Sequence, residues 1–390
     1  MAMVYLDNAA TTPMDPEIID LLQNCMREQF ANSGAVYGLG LDAKNKIEAA
    51  AETIASALGI PSSHNIIFTS GGTESNNLFI KGLCAPDKKT AYSGLEHPSI
   101  TETLKSFKQS GNEPLSLLEF IKDGKLDLSC TSLLKEKRIR LLCLSHVNNE
   151  LGTINDPVPL IASLEKEAPE TRLFLDGVQA IGKIKLDKSI WSGLAGYSLS
   201  AHKIHGPKGI GLLIYNSRLK LNPQLHGGKQ QFGLRAGTLP VPLIMAFSKT
   251  IELAIARQQE AEKHLQKLQK CLVDGLHKLK FPTLSNSSSE ELQSPAIVNF
   301  SFPPVEGEVM LHHLEEYEIF VGMGSACSAH SKEPSKILMG IGLTEEQARC
   351  SLRISFSRNN TCDEVEKFIH AFAEAYQKLL PTFKKKTENR

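Results

Sequence analysis

The sequence predicts an α/β fold in which a large domain built on a mostly parallel sheet is followed by a smaller α+β domain. Three observations carry that prediction. Short apolar runs, "NIIFT" (65–69), "RLLCLS" (140–145) and "RLFLD" ending at Asp176, alternate with stretches of helical spacing. Within these runs apolar residues follow one another instead of alternating with polar ones, as in strands buried on both faces. At 390 residues the chain is long enough to hold one large α/β domain and a second, smaller one.

Taken in order, "DPEIIDLLQNCMREQF" (15–30) has an acidic start and helical apolar spacing, and "LDAKNKIEAAAETIASALG" (41–59) is a second helix closed by a glycine. The strand "NIIFT" precedes a helix beginning near Thr73, and "TAYSG" (90–94) precedes one beginning near Pro98. "RLLCLS" and "RLFLD" flank a helical stretch around 158–167, and "AGYSLS" and "GIGLLIY" follow as strands. A long helical segment, roughly 240–280, leads to the polar loop "SNSSSEELQS". The remainder mixes strands such as "AIVNFSF" and "SLRISF" with helices on a smaller scale. The expected division is a large domain over 15–260 and a small one over 261–390, joined by residues 1–14.

Composition narrows the function classes. Lysine plus arginine equals aspartate plus glutamate, 43 each, a balance that argues against a dedicated nucleic-acid binder. No apolar run is long enough to span a membrane, and the N-terminus lacks a signal-peptide layout. The eight cysteines are scattered without a CxxC pair, which suggests neither a zinc site nor a disulfide framework. A reduced, cytoplasmic protein is expected.

In a sheet of this kind functional groups gather where strands run out into loops leading to helices. "SGGTESNN" (70–77) follows a strand and opens a helix, so its glycines and free N–H groups suit an anion such as phosphate. The same residues also make an ordinary helix cap. No GK[ST] follows, so nucleotide hydrolysis is disfavoured. Asp176 ends a strand, where it is either a solvated turn residue or the partner of a protonated ring nitrogen in a pyridoxal phosphate site. Lys203 lies in "SLSAHKIHGPKG", surrounded by small hydroxyl, imidazole and turn residues. A lysine so held serves as a Schiff-base nucleophile, and Ser200 and His202 can donate to a phosphate beside it. Phosphate cradle, strand-end aspartate and glycine-rich lysine loop, in that order, favour the pyridoxal phosphate reading over a surface lysine.

Nine stretches make the pattern specific: "YLDNAATTP", "FTSGGTESNN", "LEHPSI", "SHVNNELGT", "LFLDGVQAIGK", "SAHKIHGPKGIG", "LRAGTLP", "GSACSAHSKEPSKIL" and "SLRISF". Together, from residue 5 to about 357, they resemble the cysteine desulfurases of the NifS/IscS type, pyridoxal-phosphate enzymes related to class V aminotransferases. The resemblance implies the type I PLP-dependent transferase fold. It implies that Lys203 bonds to the cofactor aldehyde and that His97 stacks on the ring and handles a proton. Asp176 would hold the ring nitrogen protonated, and Gln179 and Asn149 would touch the ring oxygen. Gly72, Thr73, Ser200 and His202 would bind the phosphate, with Thr238 reaching the cofactor of a neighbouring subunit in a homodimer. Cys327, in a stretch of small residues, would attack the sulfur of L-cysteine and keep it as a persulfide. Arg353 and, as a weaker candidate, Asn32 would bind the substrate carboxylate. Sulfur acceptors would be an iron–sulfur scaffold or tRNA-thiolation enzymes, with no direct nucleic-acid or membrane contact.

Three positions depart from the family's common text. "NSGAVY" has Tyr37 where a histidine is usual, and "GGKQQFGLRAGT" has Phe232 and Ala236 in place of arginine and serine. Selenocysteine lyase, an aminotransferase-like or kynureninase-like enzyme, and a catalytically silent scaffold homologue are the competing readings. The pairing of Lys203 with Cys327 weighs against the last two.

Overall fold

The computed structural model describes residues 3–84, 88–110, 113–287, 292–324 and 333–388. Asp15 caps the first helix, α1 (Pro16–Glu28), by accepting from the Glu17 N–H, with Pro16 at the first helical position. The second, α2 (Gly38–Leu58), ends where Gly59 turns left-handed at a φ of 67°. There follow β1 (His64–Thr69), α3 (Gly72–Leu83), β2 (Thr90–Tyr92), α4 (Pro98–Lys105), β3 (Leu115–Ser116), β4 (Leu141–Ser145), α5 (Pro157–Glu167), β5 (Arg172–Asp176), β6 (Leu194–Ser200) and β7 (Gly211–Asn216).

These seven strands form one sheet in the order β1-β7-β6-β5-β4-β2-β3. Only β7 runs against its neighbours, pairing antiparallel with both β1 and β6. The remaining pairs, β6 with β5, β5 with β4, β4 with β2 and β2 with β3, are parallel. The unbroken apolar runs have a direct cause, since successive residues serve opposite faces. Leu142, Leu144, Leu173, Leu175, Leu212 and Ile214 enter the core beneath α2, whereas Leu141, Cys143, Phe174, Leu213 and Tyr215 pack under α3.

The segment expected as one long helix over 240–280 is two helices, α6 (Val241–Ala256) and α7 (Gln258–Lys278), which break at Arg257. The break lets the first helix pack on α1 and α2 while the second crosses to another core. That core gathers Leu265, Leu268 and Leu272 of α7 with Phe300 of β8 (Ile297–Ser301), Leu352 and Ile354 of β9 (Ser351–Ser355), and Phe368 and Phe372 of the final helix α8 (Cys362–Glu388). Val4, Leu6 and Ala9 of the N-terminal segment join it. Strands β8 and β9 pair antiparallel. Among the described residues no helix is long and apolar enough to cross a membrane.

Candidate active site

Because β1, β2, β4, β5 and β6 all point the same way, the loops leaving their carboxyl ends meet at one edge of the sheet. There they enclose a cavity of about 260 Å³. Gly72, Thr73, Ser200 and His202 line one part of it, and Asp176, His97, Asn149 and Gln179 another. Lys203 and Arg353 complete the wall, together with Ala9 and Ala10 of the N-terminal segment.

The lysine loop is held by that segment. Thr12 donates its N–H to the His202 carbonyl at 2.9 Å and receives the His205 N–H on its hydroxyl at 2.7 Å. Lys203 Nζ donates to the carbonyls of Ala9 and Ala10, both at 2.7 Å. The lysine loop and "NAATTP" are thus joined by backbone and side-chain hydrogen bonds along both segments. Glycine is also required where β7 passes the start of α3, since a Cβ on Gly211 would sit 2.6 Å from the Gly71 Cα.

Helix α3 begins at this cavity without a side-chain cap, so its first N–H groups face the space lined by Thr73, Ser200 and His202. Burial, reinforced by Lys203, Lys208 and Lys183, pushes the His202 imidazole down to about 4, so the ring is neutral at physiological pH. Its Nδ1 lies 3.1 Å from the Thr11 hydroxyl.

Asp176, the last residue of β5, is 8% exposed and accepts from the Val178 N–H at 3.0 Å and from Asn76 Nδ2 at 2.8 Å. Next to it Gly177 admits no side chain: a Cβ would fall 2.0 Å from the Tyr197 ring. His97 caps α4, its Nδ1 accepting from the Ser99 N–H at 3.1 Å with the Ser99 hydroxyl at 2.8 Å. Burial pushes its imidazole down, Asp176 pulls the other way, and Lys203 adds to the depression.

Gln179 donates to the Ala9 carbonyl at 2.8 Å and accepts from Lys183 Nζ. Lys183 was not singled out in the sequence, yet it is buried, and its ammonium is pushed down to about 7 by desolvation and by Lys203 and Arg353. Arg353, on β9 and 2% exposed, donates to Asp7 at 2.8 Å and to the Asn149 carbonyl at 2.9 Å. Its Nε and the amide oxygen of Asn149 are buried and have no partner among the described residues.

Two sequence candidates lie away from the cavity, and a third is not described. Asn32 is exposed, accepts from the Gly34 N–H at 2.9 Å, and does not line the cavity. Thr238 is exposed on a loop, also away from the cavity of its own chain. Cys327 lies outside the described residues. Of the departures, Tyr37 and Phe232 are exposed and Ala236 is half-buried; beside Phe232, Gln231 pairs its amide with both backbone groups of Phe68 on β1.

Sequence reasoning missed Asn76, Ser99 and Lys183. Asn76 is three residues beyond Thr73 on the same helix, Ser99 is two beyond His97, and Lys183 is four beyond Gln179. Only Asn76 had a usable signal, its three-residue spacing from Thr73 on one helix face.

Comparison with known proteins gives this geometry its context. The family described as Aminotransferase class-V matches residues 4–368. A protein of Methanosarcina thermophila named cysteine desulfurase IscS is 36% identical over 382 residues, covering 96% of this chain and 92% of that protein. A solved NifS-like protein superposes with a TM-score of 0.87 at 30% identity, covering 96% of this chain and all of the other. SspA, solved in complex with cysteine, superposes at 0.77 with 29% identity over 92% of this chain and 99% of that one.

The cavity fits the cofactor of that family. It offers an uncapped helix start and hydroxyls for a phosphate, a buried carboxylate for a ring nitrogen, a lysine amine for an aldehyde, and a buried, unpartnered amide oxygen at Asn149. This chain therefore belongs to the aminotransferase class-V family of pyridoxal-phosphate-dependent enzymes and, within it, to the cysteine desulfurases of the NifS/IscS type.

Proposed function

We propose that the enzyme takes sulfur from L-cysteine, releases L-alanine, and holds the sulfur on Cys327 as a persulfide for iron–sulfur cluster or thio-modification acceptors. The observation that carries this reading is one cavity lined by Lys203, Asp176 and Arg353, with a buried guanidinium N–H unengaged. SspA, a structural relative, was solved with cysteine bound.

Pyridoxal phosphate, when bound, supplies an electrophilic aldehyde and an electron sink that acidifies the substrate α-carbon. The chain's own residues do the rest. The α3 N-terminus with Thr73, Ser200 and neutral His202 holds the phosphate, and Asp176 keeps a proton on the ring nitrogen. Arg353 orients the substrate carboxylate, its guanidinium already fixed by Asp7 and Asn149. Lys203 Nζ would be the base that takes the substrate α-proton. The Cys327 thiolate attacks the substrate sulfur, so that an S–S bond forms, the C–S bond breaks, and its electron pair stays with the alanine skeleton.

The small domain, 261–390 with residues 1–14, supplies Arg353 and the Cys327 loop to a site seated on the large domain, 15–260. Thr238 serves the cofactor of a second copy in a homodimer. Its exposure, together with that of Phe30, Val36, Tyr37 and Phe232, supports this arrangement. The enzyme works in the cytoplasm.

Mass spectrometry after brief exposure to L-cysteine tests the reading. One added sulfur is expected on the peptide carrying Cys327, absent in Cys327→Ser, whose cofactor absorbance is unchanged. Sulfur on another cysteine, or an undiminished yield in the variant, would refute the assignment.

A further inference from the structure

We infer that Asn76 and Ser99 are positioning residues that fix His97 as the neutral Nε2–H tautomer, making it a hydrogen-bond donor to the cavity and not a base. The inference rests on the cavity being the pyridoxal phosphate site.

The direction of every hydrogen bond in the chain from Asp176 to His97 is set by its first member. The Asp176 carboxylate can only accept, so the group of Asn76 facing Oδ2 at 2.8 Å must be its NH₂. Asn76 is fully buried, and the second hydrogen of that NH₂ goes to Ser99 Oγ, also at 2.8 Å. With its oxygen receiving from Asn76, the Ser99 hydroxyl directs its own hydrogen at the acceptor 2.8 Å away, His97 Nδ1. The Ser99 backbone N–H reaches the same nitrogen at 3.1 Å.

Two donors converge on Nδ1, which therefore carries a lone pair. A proton there would face an N–H, abolish the cap of α4, and leave the hydroxyl without its acceptor. The neutral ring then holds its proton on Nε2. Because Nδ1 is turned to the helix start, the Nε2 edge belongs to the cavity that His97 lines. Burial and the Lys203 charge oppose the imidazolium and outweigh the pull of Asp176. With Nε2 already protonated and Nδ1 blocked, His97 has no free site for a substrate proton, and the base is left to Lys203.

Two-bond ¹H–¹⁵N correlation spectra of histidine-labelled holoenzyme test this, with His97→Gln assigning the resonances. A bare, pyridine-type Nδ1 and a protonated Nε2 are expected at pH 7 and above. In Ser99→Ala the hydroxyl donor is gone and only the backbone N–H still faces Nδ1, so the Nδ1–H tautomer gains population and kcat falls about 10-fold with KM little changed, as for the loss of one ordinary hydrogen bond. Ser99→Thr restores both readouts. Asn76→Ala, which frees the Ser99 hydroxyl to rotate, shifts the tautomers in the same sense. A protonated Nδ1 or an imidazolium in the wild-type enzyme at pH 7 would overturn the inference, as would unchanged spectra in Ser99→Ala. The tautomer is read without turnover, so a failure here is distinct from a failure to desulfurate cysteine.

Discussion

Lys183→Met is expected to stabilise the protein at neutral pH while impairing its site. The wild-type ammonium is 7% exposed, and burial, first of all, brings it from 10.5 to about 7. The folded state thus sheds a proton that the unfolded chain keeps. Between pH ~7 and ~10.5 the unfolded state binds more protons, so this residue makes stability rise with pH across that window. Below it both states are charged and the full penalty applies. At about 1.4 kcal/mol per decade that penalty approaches 5 kcal/mol. Methionine fills a similar volume without charge but leaves Gln179 Oε1 unpaired, which costs about 1–3 kcal/mol. The net gain at pH 7 is therefore about 2–4 kcal/mol, shrinking to nothing and then reversing as the pH nears 10. Urea unfolding of the cofactor-free protein from pH 6.5 to 9.5 measures it. Wild-type stability should rise more steeply than that of the variant, by up to about 1.4 kcal/mol per pH unit. Parallel curves would refute the account of Lys183 as a buried, desolvated amine.

Arg353→Lys should raise KM for cysteine about 10- to 100-fold in steady-state assays, because a single ammonium cannot serve Asp7, the Asn149 carbonyl and a substrate carboxylate together. Asp176→Asn keeps an acceptor for Asn76 but removes the negative charge; cofactor absorbance should persist while kcat falls about 100-fold or more. Gly177→Ala drives a methyl group into the buried Tyr197 ring and should destabilise the protein by about 3 kcal/mol in thermal or urea unfolding.

The sequence alone determined the layered α/β architecture, since runs such as "LLCLS" and "LFLD" can be buried on both faces only in a covered sheet. It also placed Lys203, Asp176 and the Gly72–Thr73 turn at strand ends, and the connectivity then carried them to one edge. These features are local: apolar continuity, turn residues, a helix opening after a strand. Tertiary structure decided what depends on non-local pairing. The break at Arg257 separates two helices that serve different cores, and helical spacing continues through it unmarked. Asp7 meets Arg353 across 346 positions of chain, and Asn76 meets Asp176 across 100. Lys183 reads in sequence as an ordinary cation, and only its burial beside Lys203 and Arg353 makes it an amine poised near neutrality. Burial, like the direction of a hydrogen bond, belongs to the assembled neighbourhood of a side chain; the order of residues fixes it only through the fold.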